Sequence, residues 1–250
     1  MGRRPQFGDV VSSAPIDSPE TLAGWPMPWP ALELDWGHAA LLVVDVQNYG
    51  CNRDVGLGRL LAERHPRIAD AYLPRLESTV IPNVLRLVAA FRNAGARVAY
   101  TRHGPLLPDG GDMIPRRRRR DRDALAATQL PALWHRGTFE HELIAELEPT
   151  AEELVFDKNT SSAFNSTGIE WLLRNLGVTT LVVVGMATDM CVETTARDAA
   201  DRGFDVVVVE DATTTFFEHH HRAALSAFAR VFGQVWSTEQ VLAALAAGPR

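Results

Sequence analysis

The chain has 250 residues, is 46% hydrophobic and carries a formal net charge of −6. That length and apolar content fit one large core, and the acidic balance argues against a dedicated nucleic-acid binder. Two distant cysteines, Cys51 and Cys191, make no disulfide framework and suit a reducing cytoplasm, and no apolar run reaches the roughly 18 residues of a membrane span.

Residues 1–35 form a Pro/Trp-rich N-terminal arm with no helical or strand period and without the apolar core of a secretion signal. Within it, GWPMPWPAL sets two Trp between prolines, which favours extended backbone. Exposed Trp is costly, so the arm is expected to pack on its own domain or on a neighbouring subunit. Residues 36–250 then read as a single domain.

Ala39 to Val44 is a continuous apolar run that ends in Asp45. Continuous rather than alternating apolarity marks a strand buried on both faces. The same form recurs at Ala96–Thr101, Glu153–Phe156, Thr180–Val184 and Asp205–Val209, and more weakly at Gln234–Ser237. Helical patterns run over Ile81–Asn93, Ile169–Leu176, Cys191–Arg202 and His221–Phe232, and stop at Gly95, Gly177, Gly203 and Gly233, placed as left-handed caps. The alternation predicts an α/β fold: a doubly wound, mostly parallel six-stranded sheet with helices on both faces. Ligands in such folds sit at the carboxyl ends of the strands.

Gly56-Leu57-Gly58 lacks the third glycine and the preceding strand of a dinucleotide fingerprint, and no phosphate loop is present. The one basic block is Arg116 to Arg120, continued by Arg122, with Asp121 and Asp123 partly compensating. It reads as a solvated loop or helix start, with a subunit contact or an anionic partner as the other reading.

Three strand ends carry chemistry. The first run ends in Asp45, the third in Asp157-Lys158, and the fourth leads from Gly185 through Met186, Ala187, Thr188, Asp189 and Met190 to Cys191. Lys158 is the one lysine among 25 basic side chains. Drift in an Arg-rich composition would leave such a survivor, but so would a site that needs a compact ammonium. Singly, an Asp at a strand end caps turns and a Cys fills cores. Jointly, the three suit nucleophilic chemistry. The thiolate is the attacking form, a free Cys has a pKa of about 8.5, and a nearby cation and a helix start both lower it. Thr188 or Asp189 is the expected N-cap beneath Cys191. An activated Cys191 should therefore alkylate fast, with a pKa well below that of a free thiol.

The segments LLVVDVQN, DKNTSSAF and GMATDMCVETTARDAADRGFDVVVVEDA resemble the isochorismatase-like cysteine hydrolases, a superfamily with N-carbamoylsarcosine, ureidoacrylate and biuret hydrolases and nicotinamidases. The resemblance runs from about His38 to the C-terminus. It implies Cys191 as nucleophile, Asp45 as acid and base, and Lys158 as cation. It also implies a cis peptide between Met186 and Ala187, with the Ala187 and Cys191 N–H groups forming an oxyanion hole. The implied reaction is cleavage of a C–N bond in a small amide, carbamoyl or ureide substrate through a thioester, without cofactor, in a homodimer or homotetramer. A vinyl-ether or ester hydrolase on the same fold, or a catalytically silent binding paralogue, is the alternative.

The chain departs from its relatives in places. After the second strand it has only His103 where nicotinamidases carry an Asp-plus-two-His metal site, so no metal is expected. The run His219-His220-His221 falls at a helix start, where neighbouring side chains diverge, and reads as solvated or capping. Gly50 stands where the family usually has an aromatic. Phe164 and Met186, by family position, and Tyr49, His103 and Trp134, by character, are the candidates for lining the substrate pocket; ordinary packing is the other reading of Trp134. Cys51 reads as a buried or semi-exposed spectator.

Overall fold

The computed structural model describes residues 27–248. Six strands, β1 (Ala39–Val44), β2 (Arg97–His103), β3 (Leu154–Lys158), β4 (Thr180–Met186), β5 (Asp205–Thr214) and β6 (Gln234–Trp236), form one sheet in the order β3-β2-β1-β4-β5-β6. All five pairings are parallel. The chain enters at the centre, winds out to one edge, then returns to wind out to the other. That reversal puts a topological switch point between β1 and β4.

The apolar runs account for this directly. Every residue of β1 and of β4 is buried, as expected for strands covered on both faces. Leu41 and Val43 face one core with Val84, Leu87 and Phe91 of α4 (Ile81–Asn93) and Val241 of α9 (Thr238–Ala247). Leu42 and Val44 face the other, with Leu173 of α6 (Ile169–Asn175), Ala196 of α7 (Glu193–Asp201) and Phe228 of α8 (Glu218–Ala229).

Five helices escaped the strand–helix reading, the C-terminal α9 among them. A single turn, α1 (Asn48–Cys51), α2 (Gly56–Arg64) and α3 (Pro66–Arg75) fill the stretch after β1. The basic run is helical from its start, as α5 (Pro115–Thr128), with Pro115 at the first position and no buried residue along it. Several predicted bounds also move. β2 extends to His103, β3 to Lys158 and β5 to Thr214. Gly233 is no left-handed cap; a Cβ there would run into the Val206 carbonyl and lie 2.6 Å from the Phe228 ring, so this glycine serves close packing.

Of the N-terminal arm, residues 27–35 fall within the described part. Leu32 and Leu34 pack on the core, while Trp29 is 40% exposed. Trp25 and any contact of residues 1–26 lie outside the described residues. Among the described residues no helix is long and apolar enough to cross a membrane.

Candidate active site

Strand register brings the three predicted groups together. β1 pairs Val44 with Thr101 of β2 and Gly185 of β4, and β2 pairs His103 with Lys158 of β3. Asp45 follows β1 in the left-handed region at φ 52°, a conformation that Asp tolerates better than most residues. Its Oδ1 accepts the Thr101 hydroxyl at 2.6 Å, and its Oδ2 lies 2.7 Å from Lys158 Nζ. Lys158 is fully buried, and its ammonium also donates to the Thr160 and Ser161 carbonyls at 3.1 and 3.0 Å. The ammonium thus makes two hydrogen bonds to backbone carbonyls and an ion pair with Asp45.

Cys191 lies in a wide turn, Thr188–Val192, that leads into α7. The peptide between Met186 and Ala187 is cis. Neither Thr188 nor Asp189 caps the helix. The Thr188 hydroxyl instead lies 2.8 Å from His221 Nδ1. His221 is correspondingly buried, not solvated or capping, while His219 and His220 are exposed. Burial, reinforced by Arg75 and Arg222, lowers the His221 pKa to about 3.

The electrostatics differ from the predicted thiolate. Burial pushes the Cys191 thiol up to about 12, with Lys158 pulling down and Asp45 pushing up. The carboxylate and the ammonium offset each other, and desolvation decides the sign. The resting sulfur is therefore a thiol. Lys158 behaves oppositely: burial alone would lower its pKa, but Asp45 and the sulfur hold it above the usual lysine value.

His103, at the end of β2, places Nδ1 3.4 Å from the Cys191 sulfur and 4.0 Å from Asp45 Oδ2. Burial first, then Lys158, Arg117 and His141, hold its pKa well below the ordinary value, so the ring is neutral. Gln47 anchors this strand end: its Oε1 accepts the His103 N–H at 2.7 Å and its Nε2 donates to the His141 carbonyl at 2.6 Å. Asp45, His103 and Cys191 bring three potential metal donors within 4.8 Å of one another. The Lys158 ammonium already sits on that carboxylate and opposes a divalent ion there.

A cavity of about 340 Å³ opens over this cluster, with Asp45, His103, Ala187 and Cys191 in its wall. That size suits a small-molecule ligand.

The isochorismatase domain matches residues 39–240 of the chain. The chain belongs to the isochorismatase family. It is 33% identical over 220 residues to the ureidoacrylate amidohydrolase RutB of Methylobacterium radiotolerans, covering 82% of this chain and 78% of that protein. It is 29% identical over 218 residues to the N-carbamoylsarcosine amidase of an Arthrobacter species, covering 80% and 77%. A cysteine hydrolase from Pseudomonas syringae pv. phaseolicola shares the fold, with a TM-score of 0.70 at 24% identity over 89% of this chain and 99% of that one.

Within this isochorismatase-family frame, the predicted pocket residues divide. Tyr49, His103 and Met186 line the cavity. Trp134 does not line it; it stacks behind Tyr49 with ring centroids 5.5 Å apart. Phe164 does not line it either. The turn holding Phe164 is tied to α7 by a bond from the Ala163 N–H to the Thr195 hydroxyl, and the Phe164 ring packs 5.9 Å from Phe204 in the core shared with Cys191. At Gly50, where the family usually has an aromatic, a Cβ would lie 3.1 Å from Met186 Cε, so Met186 fills that wall. Cys51 is buried behind it, 3.3 Å from the Met186 sulfur, and burial raises its pKa. Thr101, Gln47 and Arg117 were not singled out from the sequence. Gln47 sits in the first matched motif and Thr101 at the end of the second apolar run, but their roles depend on cross-strand register.

Proposed function

We propose that the chain is a cysteine-dependent hydrolase that cleaves a C–N bond of a small amide, carbamoyl or ureide compound through a thioester. The observation that carries this reading is the buried Asp45–Lys158 pair, 2.7 Å apart, beside Cys191 at the wall of the cavity. The names of the relatives point the same way: ureidoacrylate amidohydrolase and N-carbamoylsarcosine amidase.

In this mechanism the resting thiol gives its proton to Asp45 as the sulfur bonds to the substrate carbonyl carbon. The oxygen becomes an anion, held by the backbone N–H groups of Ala187 and Cys191, a contribution of about 3–4 kcal/mol per donor in comparable sites. Asp45 passes the same proton to the nitrogen, the C–N bond breaks, and the amine or ammonia leaves. Asp45 then takes a proton from water as the hydroxide adds to the thioester carbon, and returns it to the departing sulfur. Lys158 compensates the carboxylate whenever it is charged and shields the anionic sulfur between steps. Because one carboxylate carries the proton in both directions, the site needs no free thiolate at rest.

The test is ammonia release across a panel of small amides and ureides, with intact-protein mass after rapid quench. Turnover that vanishes in Cys191→Ala, and an acyl adduct that Cys191 retains, support the reading. Full turnover by Cys191→Ala rejects it.

A further inference from the structure

The run His219-His220-His221 divides on folding, and its buried member joins three distant parts of the chain. His221, in the first turn of α8, sets Nδ1 2.8 Å from the Thr188 hydroxyl and Nε2 3.3 Å from Nη2 of Arg75, at the end of α3. The same Arg75 nitrogen donates to the Glu210 carbonyl of β5 at 3.4 Å. We propose that Arg75, His221 and Thr188 form a positioning chain that sets the turn between Ala187 and Cys191 for holding the anionic oxygen of the reaction. The inference rests on the hydrolase reading above and deepens it.

The chemistry of the three groups gives the chain a direction. A guanidinium donates and cannot accept, so His221 Nε2 accepts from Arg75. The ring is neutral, because burial first, then the cations of Arg75 and Arg222, lower its pKa to about 3. A neutral imidazole that accepts at Nε2 carries its proton on Nδ1. Nδ1–H therefore donates to the Thr188 oxygen. Arg75 fixes the tautomer, and the tautomer fixes the hydroxyl. The other tautomer would set two N–H groups against each other at Nε2.

The chain ends where the reaction needs order. Ala187, next to Thr188, supplies one of the two N–H groups assigned to the oxyanion, and Cys191, three residues beyond Thr188, supplies the other. The Ala187 carbonyl accepts from the Met190 and Val192 N–H groups at 3.0 and 3.2 Å, so the turn is closed by its own backbone. The Thr188–His221 bond ties that closed turn to α8. Both of its side chains are buried, whereas the next contact between the same elements, His220 Nδ1 to Asp189 Oδ2 at 3.3 Å, is open to solvent on the His220 side. Water can replace the exposed contact but not the buried one.

Two near-isosteric replacements separate the ends of the ring. Asn presents an amide where Nδ1 stands, and Gln presents one where Nε2 stands. His221→Asn keeps a donor for Thr188, and His221→Gln does not. In the full chain, His221→Gln and Thr188→Val should lower kcat about 10- to 100-fold, the scale of a small misalignment of reacting groups. KM should change by less than about twofold, since the bond acts on the transition state. His221→Asn and Thr188→Ser should recover kcat to within about threefold of the unaltered protein. Thr188→Val combined with His221→Gln should be no slower than the slower single variant, because both break one bond. Equal losses in His221→Asn and His221→Gln overturn the proposal, as do losses that multiply in the double variant. A shifted urea midpoint in Thr188→Val with kcat unmoved would assign the bond to stability alone and also overturn it.

A second readout needs no turnover. Propionaldehyde adds to a cysteine as a hemithioacetal: the sulfur bonds to the carbonyl carbon, and the thiol proton passes to the oxygen, which occupies the place of the oxyanion. Its affinity, read as protection of Cys191 from methyl methanethiosulfonate, should fall about tenfold in Thr188→Val and His221→Gln. Without aldehyde, the rate of Cys191 modification should stay within about twofold, because that reagent has no carbonyl oxygen to place. Equal aldehyde affinity in all variants overturns the proposal, as does a modification rate that falls with it or no aldehyde binding by the unaltered protein. If no amide or ureide is hydrolysed while aldehyde affinity falls as described, the hydrolase reading fails and the positioning role stands.

Discussion

Lys158 Nζ lies 2.7 Å from Asp45 Oδ2, and the Cys191 sulfur therefore meets an ion pair rather than a lone cation. Both side chains are almost wholly out of solvent. In such a setting the carboxylate lowers the cost of burying the ammonium, and each depends on the other.

Replacement of either partner should be severe. Lys158→Arg keeps the charge but asks a planar fork to enter a fully buried slot that holds an ammonium by two carbonyls and one carboxylate. We expect kcat to fall at least about 100-fold. Lys158→Met leaves Asp45 buried and uncompensated, and should cost about 3–5 kcal/mol of stability, read as a shift in the urea midpoint. An arginine variant with near-normal kcat would show that charge alone is required.

His103 faces the sulfur with a neutral ring, Nδ1 3.4 Å away. Asn at this position can present an N–H where Nδ1 stands, whereas Leu cannot. His103→Leu should lower kcat/KM by about tenfold and His103→Asn should restore most of it. Equal loss in the two variants would limit the ring to filling space.

The parts of the site that could be read in the sequence are those that depend on strand ends. Asp45, Lys158 and Cys191 each terminate or follow an apolar run, and a parallel sheet gathers such positions on one edge. Thr101 and Gln47 needed the register: which β2 residue stands beside Val44 is a property of pairing, not of spacing. Arg117 was hidden for another reason. A run of arginines without apolar period gives no sign of which face is covered, and α5 is held by polar contacts. Phe164 was assigned by family position, but its ring packs against Phe204, in the core that also holds Cys191, and does not reach the cavity. Two flanking charges suggested a low thiol pKa; burial of the sulfur, which a sequence does not show, pushes it up instead, with Lys158 pulling down and Asp45 pushing up.

Acid should destabilise the fold through His221. Its pKa in the folded chain is about 3, against 6.5 for the free side chain, because the buried ring resists protonation. The unfolded chain takes up the proton first, so stability is intact above pH 6.5 and declines as pH falls from there towards 3. Between pH 6.5 and 5 the loss should be about 2 kcal/mol. His221→Asn, which cannot titrate, should flatten that slope in urea titrations run at several pH values. An unchanged slope would assign the acid sensitivity to other groups.

The roles of Asp45 and Lys158 separate in Asp45→Asn. With the carboxylate neutralised, one influence that raises the thiol pKa is gone, and Lys158 is left to pair with the sulfur. The thiolate fraction at pH 7 should rise, and iodoacetamide should label Cys191 about tenfold faster or more than in the unaltered protein, whose labelling should climb with pH towards 12. Hydrolysis should move the other way and fall at least about 100-fold, because no group remains to deliver a proton to the leaving nitrogen. A faster nucleophile in a slower enzyme would locate the catalytic demand in proton delivery rather than in thiolate formation. Slower labelling together with slower hydrolysis would mean that Asp45, and not Lys158, makes the sulfur reactive, and the ion pair would then have to be read as a base held in place by its cation.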